Sequence, residues 1–424
     1  MNTVVIIGGG WAGVAASIAA RKLGANVTLI ERTDMLIGLG NVGGIMRNNG
    51  RFTAAEENIF LGAKELFEIT DRFSIHKNID FPGHKHAYLY DVTKIEPEVR
   101  RLLISMGIEV NLKRRAIDVI MEDKEIKGII LSDGEIIYGD VFIDTTGSTG
   151  PMGNCLKYGN GCAMCILRCP SFGPRVSISQ KAGVNDIMGM KKDGSYGAFS
   201  GSCKLSKDSL SPKIKNDLEK DGVVILSIPK EDIQMDKLSK KVCQQYALKE
   251  YGENIILLDT GHAKMMTSFY PLEKLRKIEG LENARYEDPY SGGLGNSVRY
   301  LSVTPRENTM KVKGVKNLFC GGEKSGLFVG HTEAITTGSL AGYNSVRYIS
   351  GKELLELPTK LAIGDLICYG NDMIQTEEGL KDRYTFAGST YFKRMVEKGL
   401  YTTDLHQIKN RVEDLGLLNI YDNL

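Results

Sequence analysis

No cysteine occurs in the first 154 residues of this chain, and no apolar run approaches the roughly 20 residues that cross a membrane as a helix. The longest early run of small apolar residues is broken by Arg21, and Met1-Asn2-Thr3 leads into apolar sequence without a basic leader. A secretory signal and a membrane anchor are therefore not expected; a reducing, cytoplasmic setting is. An excess of charge is lacking too. The 54 Lys and Arg face 52 Asp and Glu, so no global field draws the protein to nucleic acid or membrane. Basic stretches at 113–115 and 206–241 read as solvated faces. Internal repeats and low-complexity tracts are absent, and no interleaving of aromatic and basic residues marks an RNA-binding surface.

What the chain has in excess is glycine: 48 residues, where an average composition of about 7% would give roughly 30. The densest case opens the chain. "TVVIIGGGWAGVAASIAARKLGANVTLIER" reads as strand, glycine turn, helix and strand, with Gly24 stopping the helix. Gly8-Gly9-Gly10-Trp11-Ala12-Gly13 fits G-x-G-x-x-G, and Glu31 ends the second strand. Gly8 permits a tight turn, Gly10 lets a pyrophosphate reach the backbone, Gly13 lets helix and strand pack closely, and Glu31 can accept from a ribose hydroxyl. A second match, Gly38-Leu39-Gly40-Asn41-Val42-Gly43, has no strand before it and no acid at the right offset, so it is not read as a second nucleotide fingerprint.

Further along, "DVIMEDKEIKGIILSDGEIIYGDVFIDTTG" reads as strands joined by polar turns, with Asp133-Gly134 a hairpin signal. "VKNLFCGGEKSG" is a late strand ending in a glycine turn, followed by a helix over "GHTEAITTGSLAGYNSVRYISG" with Thr332 as its cap. The texture divides the chain into a discontinuous nucleotide-binding domain at 1–150 and 312–360, an inserted α+β domain at 151–311, and a helical C-terminal segment at 361–424.

The fingerprint, the "IDTTG" strand end and the "NLFCGGE" strand before a glycine-rich helix together resemble the flavoproteins with two dinucleotide-binding domains. The resemblance implies an α/β fold: a Rossmann-like, FAD-binding parallel sheet plus β-meander. It places Gly8, Gly10 and Gly13 at the pyrophosphate, with Ala12 and Arg32 in the same cofactor set. Glu31 falls at the adenosine ribose and the Ala116 backbone at the adenine. Thr146 and Gly147 border the cofactor, and Glu323, after Gly322, stands where an Asp usually holds the ribityl chain. The match sharpens towards the GidA type, which includes the tRNA uridine-modifying enzymes and the folate-dependent tRNA methyltransferase. "DMLIGLGNVGGIM", "PYSGGLGNSVRY" and "GHTEAITTGSLAGYNSVRY" resemble that group's glycine stretch, late loop and flavin-side helix, and these similarities cover roughly half the chain. Gly43, Gly44, Gly330, Thr332 and Glu333 thereby join the cofactor-binding set, the positive helix end near Thr332 and Glu333 facing the isoalloxazine. TRNA-modifying members use a cysteine in the early glycine stretch; this chain has none before Cys155.

Four of the eight cysteines fall together in "CLKYGNGCAMCILRCP". Cys155, Cys162, Cys165 and Cys169 can converge on a 4Fe-4S cluster: C-x2-C-x3-C-P is the tail of a ferredoxin run, and Gly153, Gly159 and Gly161 let the loop fold back. A redox dithiol at Cys162 and Cys165, a zinc site and buried free thiols compete with that reading. A cluster there would exchange single electrons with FAD. Among the histidines, His331 is the candidate proton-transfer group, whereas His84 and His86, in a turn that alternates like a strand edge, fit a surface role or a site equally. Arg299 and Tyr300 are candidates to bind an anionic substrate.

Three functions are consistent with these residues. The first is an FAD-dependent oxidoreductase whose 4Fe-4S cluster exchanges electrons with the flavin and a small-molecule substrate, with an electron-carrier protein and a second copy of the chain as compatible partners, no membrane, and nucleic acid not expected but left open. The second is a GidA-like, FAD- and folate-dependent tRNA-modifying or tRNA-binding protein. The third is a flavin-dithiol reductase working through Cys162 and Cys165.

Overall fold

The structure, a computed structural model, describes residues 2–147, 171–199, 203–233, 235–241, 243–267, 270–287 and 298–424. Its centre is a five-stranded sheet in the order Leu318–Cys320, Val141–Asp144, Thr3–Ile7, Asn26–Glu31 and Glu109–Leu112, parallel throughout. The inner strands Thr3–Ile7 and Val141–Asp144 are mostly apolar, with Val4–Ile7 and Val141–Ile143 buried, as parallel strands between layers must be. This is the Rossmann-like α/β architecture expected from the sequence. The late strand Leu318–Cys320 completes the sheet beside Val141–Asp144.

The helix Trp11–Lys22 lies along the long helix His331–Ile349 with backbones in contact. A Cβ at Gly338 would overlap the Ala12 carbonyl, and one at Gly342 that of Ala16. The small residues of "GWAGVAAS" and "TGSLAGYN" are thus what brings the two helix N-terminal turns to the same end of the sheet. An antiparallel meander, Ala116–Glu122, Glu125–Leu131 and Ile136–Tyr138, follows the outer strand.

Between the fourth and fifth central strands the chain builds a second, antiparallel sheet: Cys203–Leu205, Ala263–Met265, Asn254–Asp259 and Val223–Ser227. Its strand "NIILLD" is buried on both faces, because side chains alternate. Ile255 and Leu257 pack with Leu205, Ile214, Leu218 and Met265 in the sheet's own core. Ile256 and Leu258 pack with Ile45, Phe81, Ala87 and Leu89 of a separate three-stranded sheet, Ile45–Met46, His84–Tyr90 and Ser74–Phe81. The inserted sheet is thereby seated on the hairpin Ser74–Phe81 and His84–Tyr90.

His84 does not take the surface role open to "HKH". It is 1% exposed, with its ring 4.7 Å from both Phe81 and Tyr246, and burial holds its pKa down to about 3. Neutral His84 fits its partners: Asn48 Nδ2 donates to Nδ1 (2.9 Å), which leaves the Nε2 proton for the Gln245 carbonyl (3.2 Å). Tyr300 is likewise 1% exposed, so its ring belongs to the interior rather than to an open anion site. The C-terminal residues form helices Ala362–Met373, Ser389–Glu397 and Leu405–Asp414. Buried Glu57 accepts from the Ala362 and Ile363 amides and so caps the first of these from 305 residues away; burial raises its carboxyl to about 7. Among the described residues no helix is long and apolar enough to cross a membrane.

Candidate functional site

The fingerprint turn is closed by backbone. Gly8 has φ +105°, its amide donates to Ile30 O (2.8 Å), and a Cβ there would overlap the Thr145 carbonyl. Thr145 clamps the turn further, its hydroxyl lying 2.9 Å from Ile7 O and 2.7 Å from Gly8 O. A Cβ at Gly13 would overlap Gly8 O, so helix and turn touch. Gly10 is the opposite case: nothing lies within 4 Å of where its Cβ would be, and its face is open at the start of the helix. Glu31 ties the acid to the turn, its Oε2 accepting from the Gly9 amide and its Oε1 from the Thr33 amide and hydroxyl, each at 2.8 Å.

Beside Glu31, the Arg114 amide donates to its carbonyl (3.0 Å), which brings Ala116 to the same edge. Arg32 donates to Gly173 O (2.5 Å) and Arg115 to Pro174 O (2.9 Å), while a Cβ at Gly147 would lie 3.0 Å from the Arg175 guanidinium. Thr146 turns back on Asp144, donating from its amide (3.1 Å) and hydroxyl (2.7 Å). Gly147 and Arg175, on either side of residues 148–170, therefore meet at the fingerprint end of the sheet. Cys155, Cys162, Cys165 and Cys169 lie outside the described residues. Among the described residues no group of three His, Cys, Asp or Glu is placed to hold a metal.

The second glycine segment runs along the first. The Ile37 amide donates to Gly9 O (2.7 Å), and Gly38 passes beside Gly10. The short turn Gly40–Gly43 then offers three successive carbonyls to three side chains: Tyr90 Oη to Gly40 O (2.7 Å), Lys204 Nζ to Asn41 O (3.0 Å) and Lys264 Nζ to Val42 O (2.6 Å). Gly43 is pressed on His331, whose imidazole a Cβ would overlap. The His331 ring centroid is 5.9 Å from Trp11 and 6.1 Å from Tyr90, and its Nδ1 is 3.4 Å from the Tyr90 hydroxyl. The structure thus brings together the fingerprint helix, the second glycine turn and the candidate proton-transfer histidine.

The long helix starts two residues earlier than a Thr332 cap requires: Gly330 precedes its first turn, and His331 is the first helical residue. The Thr332 hydroxyl is buried without a partner. The Glu333 carboxylate, fully buried, pairs with Arg51 (3.2 Å) and accepts from Thr385 Oγ1 (2.7 Å) and the Phe386 amide (2.9 Å). Its side chain is committed to the protein, which leaves its backbone for a ligand. Gly322, with φ +69°, donates to Thr337 Oγ1 (2.8 Å) against Ala12, and half-buried Glu323 follows in the same turn. The open face of Gly10 and the unpartnered Thr332 hydroxyl fit a dinucleotide lying between the two helix starts.

Thr145, Tyr90, Lys204 and Lys264 were not legible as site residues, because each acts through the backbone of a distant turn, and Arg51 was not because its carboxylate partner is Glu333, 282 residues away. The nearest signal is Lys264 itself, a charge inside the apolar stretch "AKMM".

A tRNA uridine 5-carboxymethylaminomethyl modification enzyme MnmG from Buchnera aphidicola subsp. Cinara cedri is 23% identical over 413 residues, which covers 82% of this chain and 62% of that protein. The chain thus spans less than two thirds of that relative's length. The MnmG of Alkaliphilus oremlandii is 21% identical over 486 residues, covering 98% of the chain and 76% of that protein. The structure of Aquifex aeolicus GidA superimposes with a TM-score of 0.66 at 15% identity, covering 99% of this chain and 74% of that one, a likeness of fold. The family described as Glucose inhibited division protein A matches residues 3–268 and 259–353, nearly the whole of both sheets and the long helix. The chain belongs to this family, GidA.

Proposed function

We propose that the chain is an FAD-dependent enzyme of the GidA type that modifies a uridine of tRNA. Family membership favours this over the small-substrate oxidoreductase. The cofactor rests on one observation: the two glycine turns and the start of the long helix converge around Gly10, Gly43 and His331, with the face of Gly10 open. Gly8, Gly10 and Gly13 take the pyrophosphate at the N-terminus of the Trp11–Lys22 helix. Glu31, beside Arg32, takes the ribose and the Ala116 backbone the adenine. Thr146, Gly147, Gly322 and Glu323 border the middle of the cofactor, and Gly43, Gly44, Gly330, Thr332 and the Glu333 backbone its flavin end. FAD, when bound, supplies redox chemistry in one- or two-electron steps. His331 holds or releases the proton at its imidazole, next to Gly43.

Acid release of the cofactor from purified protein, followed by chromatography, is expected to give FAD; a colourless protein that takes up none would refute the cofactor. Nucleoside analysis of tRNA from cells lacking the gene is expected to show a missing uridine modification that the gene restores. Unchanged tRNA, with no tRNA binding at low salt, would refute the substrate.

A second reading retains the cysteines. The spacing of Cys155, Cys162, Cys165 and Cys169 suits a 4Fe-4S cluster, and both flanks of that segment end beside the proposed cofactor site. Iron and acid-labile sulfide in anaerobically purified protein would support it; their absence, with two thiols released only by reduction, would favour a dithiol at Cys162 and Cys165.

A further inference from the structure

We infer that Lys264, with Lys204, is a positioning residue of the cofactor site: through the Val42 and Asn41 carbonyls the inserted sheet holds the Gly40–Gly44 turn against His331. The inference builds on the FAD reading only for its consequence, since the hold itself is a matter of protein geometry.

The turn cannot hold itself. A helix of four residues is far below the length at which helices persist alone, and three glycines in "GNVGG" make its backbone costly to order. Order is supplied from outside, by donors to three successive carbonyls from Tyr90, Lys204 and Lys264. The carbonyl end of even a short helical turn is negative, so ammonium groups suit it better than neutral donors.

Lys264 lies in the Ala263–Met265 strand and is 5% exposed; among the described residues it has no carboxylate partner. Lys204 sits directly across the sheet from it. Burial and the Lys204 charge bring Lys264 down to about 7. A buried ammonium with a like charge beside it costs stability, and what offsets that cost is the bond to Val42. Lys241 provides the contrast. It too is buried, but it donates to the Tyr246 and Met266 carbonyls of its own unit. The effect of the Lys264 hold falls on the His331 end of the site, because Gly43 meets the His331 imidazole.

The test uses the full chain as K264M, K264R and the control K241M. Amide hydrogen exchange over residues 38–46 is measured in FAD-free protein, and the FAD dissociation constant and visible spectrum on reconstitution. K264M is expected to speed exchange in that segment at least tenfold, weaken FAD binding at least tenfold and shift the flavin band, with most of each effect recovered in K264R. K241M is expected to lower stability while leaving all three readouts unchanged. Exchange within twofold of wild type in K264M, or K241M reproducing its effects, would overturn the inference. If K264M does not fold, K204M, at a half-buried position, is read in the same way at Asn41. Wild type that binds no FAD would defeat the cofactor reading, and the exchange result would still decide this one.

Discussion

The first glycine turn of the site, Gly8 to Gly13, is closed mainly by backbone and neighbours of its own βαβ unit, Ile30 O, the Glu31 carboxylate and the contact of Gly13 with Gly8, with Thr145 as a side-chain clamp from outside. The second, Gly38 to Gly44, is held by Tyr90, Lys204, Lys264 and His331, which come from a hairpin, the inserted sheet and the long helix. A turn closed by its own backbone is set once its strand and helix form. A turn held by side chains from elsewhere can be shifted by changes far from it, without loss of the nucleotide fold. The flavin end of the site is therefore where this chain can differ from its relatives while keeping their dinucleotide end.

The largest effect should come from the anchor of the long helix. Arg51→Met removes the partner of a fully buried Glu333 carboxylate, and an uncompensated buried charge costs about 3–5 kcal/mol. Urea unfolding is the measurement, and a loss below about 1 kcal/mol would mean that Thr385 and the Phe386 amide suffice. Gly13→Ala probes the first turn. Its methyl would meet the Gly8 carbonyl, which is backbone and cannot swing aside, so a cost near the upper end of about 1–3 kcal/mol and loss of bound FAD are expected together. Gly43→Ala is the matching change in the second turn. Its methyl meets a side chain, the His331 imidazole, which can rotate, so the cost should be only about 1 kcal/mol. The flavin spectrum should change while FAD content is retained. Equal destabilisation by the two alanines would abolish the contrast between the turns.

How much of this was legible follows the same division. Strand, turn, helix and acid are consecutive in "TVVIIGGGWAGVAASIAARKLGANVTLIER", and each local preference agrees with the parallel sheet, so the first turn and Glu31 could be placed from sequence. "VKNLFC" could be assigned as a strand, and resemblance tied it to the same domain. His84 could not be placed because an isolated "PGHKH" looks like an exposed turn, and only Tyr246 of the inserted segment, together with Phe81, encloses it. Glu333 sits in the first turn of a helix, where an acid is usually a surface feature that complements the helix dipole. Its Arg51 partner lies 282 residues away, and no periodicity encodes that pairing. Lys204 and Lys264 are two of many lysines in a basic stretch of chain, and only strand register turns them to the same side.

The smallest effect at neutral pH is a slope. With Lys264 at about 7 in the folded chain against about 10.5 unfolded, the unfolded state carries the extra proton between those values, so stability rises with pH over that window. From pH 7 to 8 the gain from this one group is up to about 1 kcal/mol, and K264M should lack it. The groups that set the value are burial and Lys204, which lower it, and the Cys243 and Cys203 thiols, which raise it once ionised. Deprotonation also leaves Val42 O with a neutral donor, so the rise in stability should coincide with faster exchange in residues 38–46 and no change in residues 8–13. If both turns loosen together as pH rises, they form one unit, and the separation of a self-held dinucleotide end from an externally held flavin end fails.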